Sequence, residues 1–182
     1  LLNGCGGAAS ALIALAESSN PSTAGALSIP SFGVTGLAVV VGAFTFSGSM
    51  VAAGKLHGVL NERAIRLPWH SWLTVAIIGL LVVYGIAGAV LQSSSLWLYT
   101  LILLPFALGL GVIVTMRIGG ADMPVVITFL NAASGLAASL CGFVTQNALL
   151  VSCGAMVGAS GVLLSHMMCR AMNRSLLSVF LG

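Results

Sequence analysis

The stretch GGADMPVVITFLNAASG, residues 119–135, places an acid, Asp122, at the threshold of an apolar run and an uncharged amide, Asn131, nine residues further in. A carboxylate at a helix start could cap it ahead of Pro124, pair with Arg117, or pass a proton. At the helical rise of ~1.5 Å per residue, Asn131 lies ~13 Å deeper than Asp122, close to the middle of a bilayer. An amide at that depth costs free energy unless it is hydrogen-bonded, so it faces protein or water rather than lipid. Asn3 is its expected counterpart near the start of the chain, and Ser10, Thr45, Ser49, Ser134, Ser160 and Ser165 add hydroxyls within other apolar runs. Amides and hydroxyls both donate and accept, so such a set can order a file of water. No Asp, Glu, Lys, Arg or His falls at the centre of any run. A titrating group must then come from the threshold or from helices outside these residues.

These polar positions recur at spacings of three, four and seven, which puts them on one face per helix. The stripes read Asn3, Gly6, Gly7 and Ser10; Gly42, Thr45 and Ser49; Asn131, Ser134, Gly135 and Ala138; and Gly154, Gly158, Gly161 and Ser165. Close backbone approach between membrane helices explains the glycines; it does not explain a buried amide.

The elements that hold these stripes follow from composition. The chain is 59% apolar and 5% charged, with a mean hydropathy of +1.15, too few charges to coat a soluble globule of 182 residues. The fold class is therefore all-α, a polytopic bundle forming one transmembrane domain over residues 1–182; a barrel would alternate polar and apolar residues. Six spans are expected at about 1–16, 35–54, 71–91, 96–116, 124–143 and 148–168. A leucine start is no initiator methionine, so the chain reads as part of a longer one. All six basic residues, Lys55, Arg63, Arg66, Arg117, Arg170 and Arg174, sit on alternate connections, which places both chain ends on the cytosolic or matrix side. The net charge of +3 is accordingly a topology signal and an affinity for anionic lipid, with no nucleic-acid partner implied. Trp69, Trp72, Trp97 and Tyr99 fall near span ends, where amphipathic rings anchor at headgroups, whereas Tyr84 is deeper and reads as packing. Residues 17–34, rich in Ser, Pro and Gly, read as a flexible loop. Residues 55–66 read as an interfacial turn, with a docking surface for a soluble partner as the alternative. Cys5, Cys141, Cys153 and Cys169 lack CxxC spacing and read as packing thiols; Cys141 and Cys153 share a similar depth. His57, His70 and His166 lie at or near the basic interface with no partner at ligand spacing, so no metal site is expected.

An internal repeat aligns LLNGCGGAASAL from Leu1 with FLNAASGLAASL from Phe129, matching Asn3 with Asn131 and Gly7 with Gly135. TFSG at 45–48 continues it against GASG at 158–161. Two helix pairs duplicated in parallel are an arrangement found in transporters.

GGADMP at 119–124, LN...SG at 130–135, GAMVGASG at 154–161 and MCRAMNRSL at 168–176 carry a family likeness. With FTFSGSMVAAGKL at 44–56 and the opening LLNG, the chain resembles the beta-subunit membrane domain of proton-translocating nicotinamide nucleotide transhydrogenase. The resemblance implies a domain that passes protons while hydride moves from NADH to NADP on soluble domains. It implies NAD and NADP as cofactors of the complete enzyme, none bound by this part. Implied partners are the NAD-binding and NADP-binding domains or subunits, the remaining transmembrane helices, membrane lipid and a second copy, in a bacterial inner membrane or the mitochondrial inner membrane. Asn3 occupies the site where many relatives carry a proton-handling histidine; others carry asparagine there and the histidine on an earlier helix. Asn131 matches the channel asparagine of the fifth span, and Asp122 the acid at the cytosolic mouth. Gly154, Gly158, Ser160, Gly161 and Ser165 match the close-packed helix that couples to the NADP domain. Arg117, Arg170 and Arg174 join Asp122 on the surface expected to face that domain.

Two other classes fit the residues alone. A secondary transporter or channel for a small polar solute would also use parallel repeats and midplane amides, and a membrane anchor would tolerate leucine at position 131.

Overall fold

The computed structural model describes residues 1–19, 29–61, 63–65, 69–91 and 96–181. Arg66, the centre of the 17–34 connection and the short connection 92–95 lie outside them. Long apolar runs must satisfy every peptide group internally, and the chain does so as helices. They are α1 (Leu2–Ser18), α2 (Ile29–Leu56), α3 (His70–Leu91), α4 (Leu96–Met116), α5 (Met123–Val144), α6 (Ala148–Ala171) and the short α7 (Leu176–Leu181), with a 3-10 turn at Gly120–Asp122 before α5. Helices α2 to α6 are long and apolar enough to cross a membrane. α1, at 17 residues, is at the short end of the ~17–25 that a span needs.

The expected spans match these helices within a few residues except at the start of α2. Residues 29–34, expected within a flexible loop, form its first turns, and Glu17 and Ser18 belong to α1. Pro30 is the reason the proline signal misled: in a first turn its missing N–H breaks no helical bond.

α2 is the central element, packed between α1, α4 and α5, with α3 outside it against α4. α6 packs almost wholly on α5. Glycine sets these distances at two seams. A Cβ at Gly7 would stand 2.7 Å from the Gly42 carbonyl oxygen and 2.9 Å from Thr45 Cβ, so α1 and α2 touch through backbone. At Gly135 a Cβ would meet the Gly158 nitrogen and stand 2.8 Å from Gly158 Cα. The repeat pairs Gly7 with Gly135 and Thr45 with Gly158, so the two seams are equivalent contacts. α1 and α5 also touch through repeat-equivalent positions, because a Cβ at Gly6 would lie 2.7 Å from Ser134 Oγ.

The tight connection from α5 to α6 turns on Gln146 in the left-handed region (φ 54°) and on Asn147, whose side chain accepts from Leu150 N at 3.1 Å as a helix cap. At the basic end, α7 folds back: Val179, Leu176 and Phe180 pack with Met123, Val126 and Leu130, and the Phe180 ring meets Phe129 at 4.7 Å.

Tyr99 corrects one expectation. It is 3% exposed, stacks on Tyr84 at 5.2 Å and donates to the Gly85 carbonyl at 3.2 Å, bracing α3 against α4 instead of anchoring at headgroups. Tyr99→Phe should keep the stacking and cost about 1 kcal/mol for the lost hydrogen bond, read as a small fall in Tm of the detergent-solubilised protein. Cys141 is buried and Cys153 exposed, and both are free thiols.

Candidate functional site

Asn3 stands in the first turn of α1, and its Nδ2 donates to the Ile127 carbonyl of α5 at 3.2 Å. In a regular helix that carbonyl accepts the backbone N–H four residues on, which belongs to Asn131. Ser134, three residues further, approaches Gly6 of α1. Ile127, Asn131 and Ser134 follow at spacings of four and three, hence on one face of α5. Both ends of that face touch α1, so half-buried Asn131 lies along the same seam.

The seam opens into a cavity of about 400 Å³ lined by Asn3, Ser49, His57, Ile127 and Leu130 among others. Ser49 is 4% exposed, and its hydroxyl has no partner among the described residues. The hydroxyls of Ser10 and Thr45 instead return a bond to their own helix, to the Gly6 carbonyl at 3.0 Å and the Val41 carbonyl at 2.7 Å. Ser49 contributes to the cavity wall, but its hydroxyl oxygen is buried behind it.

A second polar pair bridges α5 and α6, where Ser165 donates to Thr128 Oγ1 at 2.9 Å. Beside it a Cβ at Gly161 would stand 2.7 Å from Ala132 Cα, and one at Gly154 would meet the Ser139 nitrogen and lie 2.8 Å from the Gly135 carbonyl. Gly158 completes this close-packed face. Ser160 is apart from it, on the exposed side of α6, bonded to the Val157 carbonyl at 2.9 Å.

At the basic end Asp122 departs from both simple readings of it. It makes no side-chain cap bond, and its charged partner is Arg174, with Nη1 3.2 Å from Oδ2. Its other oxygen, Oδ1, is buried without a partner among the described residues. Arg117 reaches Ser71 Oγ at 3.4 Å, and Arg170 is exposed at the end of α6. Half-exposed Arg174 keeps the pair in water's reach, so Arg174→Ala should cost less than ~1 kcal/mol of stability, checked by thermal unfolding.

Lys55, a topology signal at the head of the 55–66 connection in the sequence, has a different place in the structure. It is fully buried, and Nζ donates to the carbonyls of Thr115 at 3.3 Å, Met116 at 2.8 Å and Ile118 at 2.7 Å. These are the orphan acceptors at the end of α4, where the helix dipole also favours a cation. The one signal was its register, at the last turn of a 28-residue apolar helix with no acid nearby in sequence.

The whole chain, residues 1–182, matches the family model described as "NAD(P) transhydrogenase beta subunit". Two relatives named "NAD(P) transhydrogenase subunit beta", both from Rhodospirillum rubrum, are each 42% identical over 181 residues, covering 97% of this chain and 38% of their own. The chain therefore spans little more than a third of these relatives' length. With helices, polar seam and basic end in place, the chain belongs to the NAD(P) transhydrogenase beta subunit family.

Proposed function

We propose that this chain is the membrane domain of a proton-translocating transhydrogenase. It conducts protons across the membrane while hydride passes from NADH to NADP on soluble domains. The observation that supports this reading is the cavity at the basic end, with Asn3 in its wall and the Asn3–Ile127 contact of α1 with α5 beside it. A cavity of this size exceeds by far the ~10–15 Å³ that one water occupies, and its polar groups can hold several waters in file. Ser134 extends the seam, Thr45 lines the adjoining α1–α2 contact, Ser10 is buried on α1, and Ser165 with Thr128 joins α5 to α6. Ser160 faces outward, where helices beyond residues 1–182 would cover it.

The basic end faces the cytosol or matrix, since basic connections are retained there. Asp122 and Arg174 stand at that end, joined with Arg117 and Arg170 on the surface for the NADP-binding domain. The pair couples the start of α5 to the end of α6, so a docked domain that engages Arg174 releases the Asp122 carboxylate beside the mouth. Gly154, Gly158 and Gly161 let α6 move against α5 as a close-packed rod. A dinucleotide cradle needs a strand, a glycine turn and a helix. In this reading hydride transfer belongs to the soluble nucleotide-binding domains. The complete unit is proposed to be a dimer in a bacterial inner membrane.

Asn131→Leu in the complete enzyme, reconstituted in vesicles, tests this directly. Proton uptake and proton-driven hydride transfer should fall at least ~10-fold together, since a file of water is interrupted. Unchanged rates in both Asn131→Leu and Asp122→Asn would overturn the assignment.

A further inference from the structure

The cavity at the basic end is lined mainly by apolar side chains, and the Asn3 amide in its wall can order water but cannot store a proton. Its lining includes one imidazole, that of His57, a group with two ring nitrogens that can take and give a proton. Ser49, Ala53 and His57 succeed one another at four-residue intervals along the end of α2, so they line one wall from the buried hydroxyl to the rim. His57 itself is exposed, in the turn that follows α2, where its backbone N–H is bonded to Ala53 O at 2.9 Å. The imidazole thus meets bulk water on one side and the cavity on the other.

Resting on the proton-conduction reading above, we infer that His57 is the proton-exchanging group at the basic-side entrance of the Asn3–Ser49 cavity. One ring nitrogen takes a proton from solvent, and the other gives one to water in the cavity beside Asn3. Loss of that second proton leaves the ring neutral in its other tautomer, exchange of the N–H between the two nitrogens resets it, and no electron moves. Asn3 holds its place by its bond to Ile127 and keeps its carbonyl oxygen for that water.

Among the described residues, the charged groups around this entrance leave His57 the one able to do this. Lys55, two residues earlier, is buried and committed to three carbonyls of α4 and the turn after it. α1 brings Asn3 and apolar leucines to the cavity, and α5 brings Ile127 and Leu130. Asp122 at the start of α5 is paired with Arg174, and Arg63 lies exposed in the connection beyond.

The test uses the complete enzyme in vesicles, with His57→Ala and His57→Gln compared across pH. Both should slow proton uptake roughly 10-fold or more, the range of a lost general acid–base group, with a flattened pH profile near neutrality. Added imidazole should restore His57→Ala, a response that a packing role would not show. Should His57→Ala not insert, His57→Gln carries the pH comparison, its exposed position tolerating the amide. Wild-type rates and pH profile in His57→Gln, alongside a slow Asn131→Leu, would overturn the His57 assignment and leave conduction standing. Wild-type rates in His57→Gln, Ser49→Ala and Asn131→Leu together would remove both.

Discussion

Lys55→Met is expected to lower the stability of the detergent-solubilised protein by about 3 kcal/mol, the largest effect of any single polar substitution proposed for this chain. Hydrogen bonds to a charged donor contribute roughly 1.5–3 kcal/mol each, and three are lost. The sum overstates the result, because two of the carbonyls keep another partner: Ile118 N lies 3.3 Å from Thr115 O, and Ile65 N lies 3.2 Å from Met116 O. Ile118 O depends on the ammonium. Methionine also removes the desolvation cost of a buried cation, which offsets part of the loss. Lys55→Arg should recover only part of the stability, since a planar fork cannot direct its donors as a compact ammonium does. Thermal unfolding of the three proteins orders them wild type, Lys55→Arg, Lys55→Met. Equal Tm values for wild type and Lys55→Met would show that the α4 end is held by packing alone.

Gly135→Val should be comparably severe, about 3 kcal/mol, the upper end of what overpacking costs, because the obstructing atoms are backbone and cannot rotate away. Its added Cβ meets the Gly158 nitrogen and Cα directly. α6 would be pushed from α5, parting Ser165 from Thr128 across the same seam. Gly109→Ala is the control: nothing lies within 4 Å of a Cβ there, so the change should be neutral or gain up to ~1 kcal/mol from helix propensity. A Gly135→Val protein as stable as Gly109→Ala would mean that the two helices separate freely.

Much of this bundle was legible in the sequence because the bilayer imposes it. Uncharged runs of spanning length and basic residues on alternate connections give the helices and their order. The repeat pairing Gly7 with Gly135 and Gly6 with Ser134 marked contacts that the structure places at seams. Asn3 and Asn131, paired by the same repeat, lie along one seam, linked through Ile127. What was not legible depends on partners far apart in sequence. Asp122 pairs across 52 residues with Arg174 instead of capping its own helix, because α7 folds the chain back over the start of α5. Lys55 reads as a surface charge until α4 is seen to end against it. Tyr99 looks like an interfacial ring because it is near a helix start, yet Gly36 and Gly88 clear space for it between α2, α3 and α4. The start of α2 was missed because proline and serine suggest a loop wherever the first turn of a helix cannot be located.

The touching pair Gly6 and Ser134 has a mechanical corollary. Helix pairs duplicated in the same sense are related by rotation about the membrane normal, so both halves present like ends to the same compartment. Exchanging the shapes of the two halves would recreate the original opening on the original side. Inverted duplications obtain an opposite-facing state from such an exchange; this architecture does not. Under the proposed function, a vectorial bias is imposed on the bundle by something bound at one end, which makes the asymmetry of its two rims a requirement of direction.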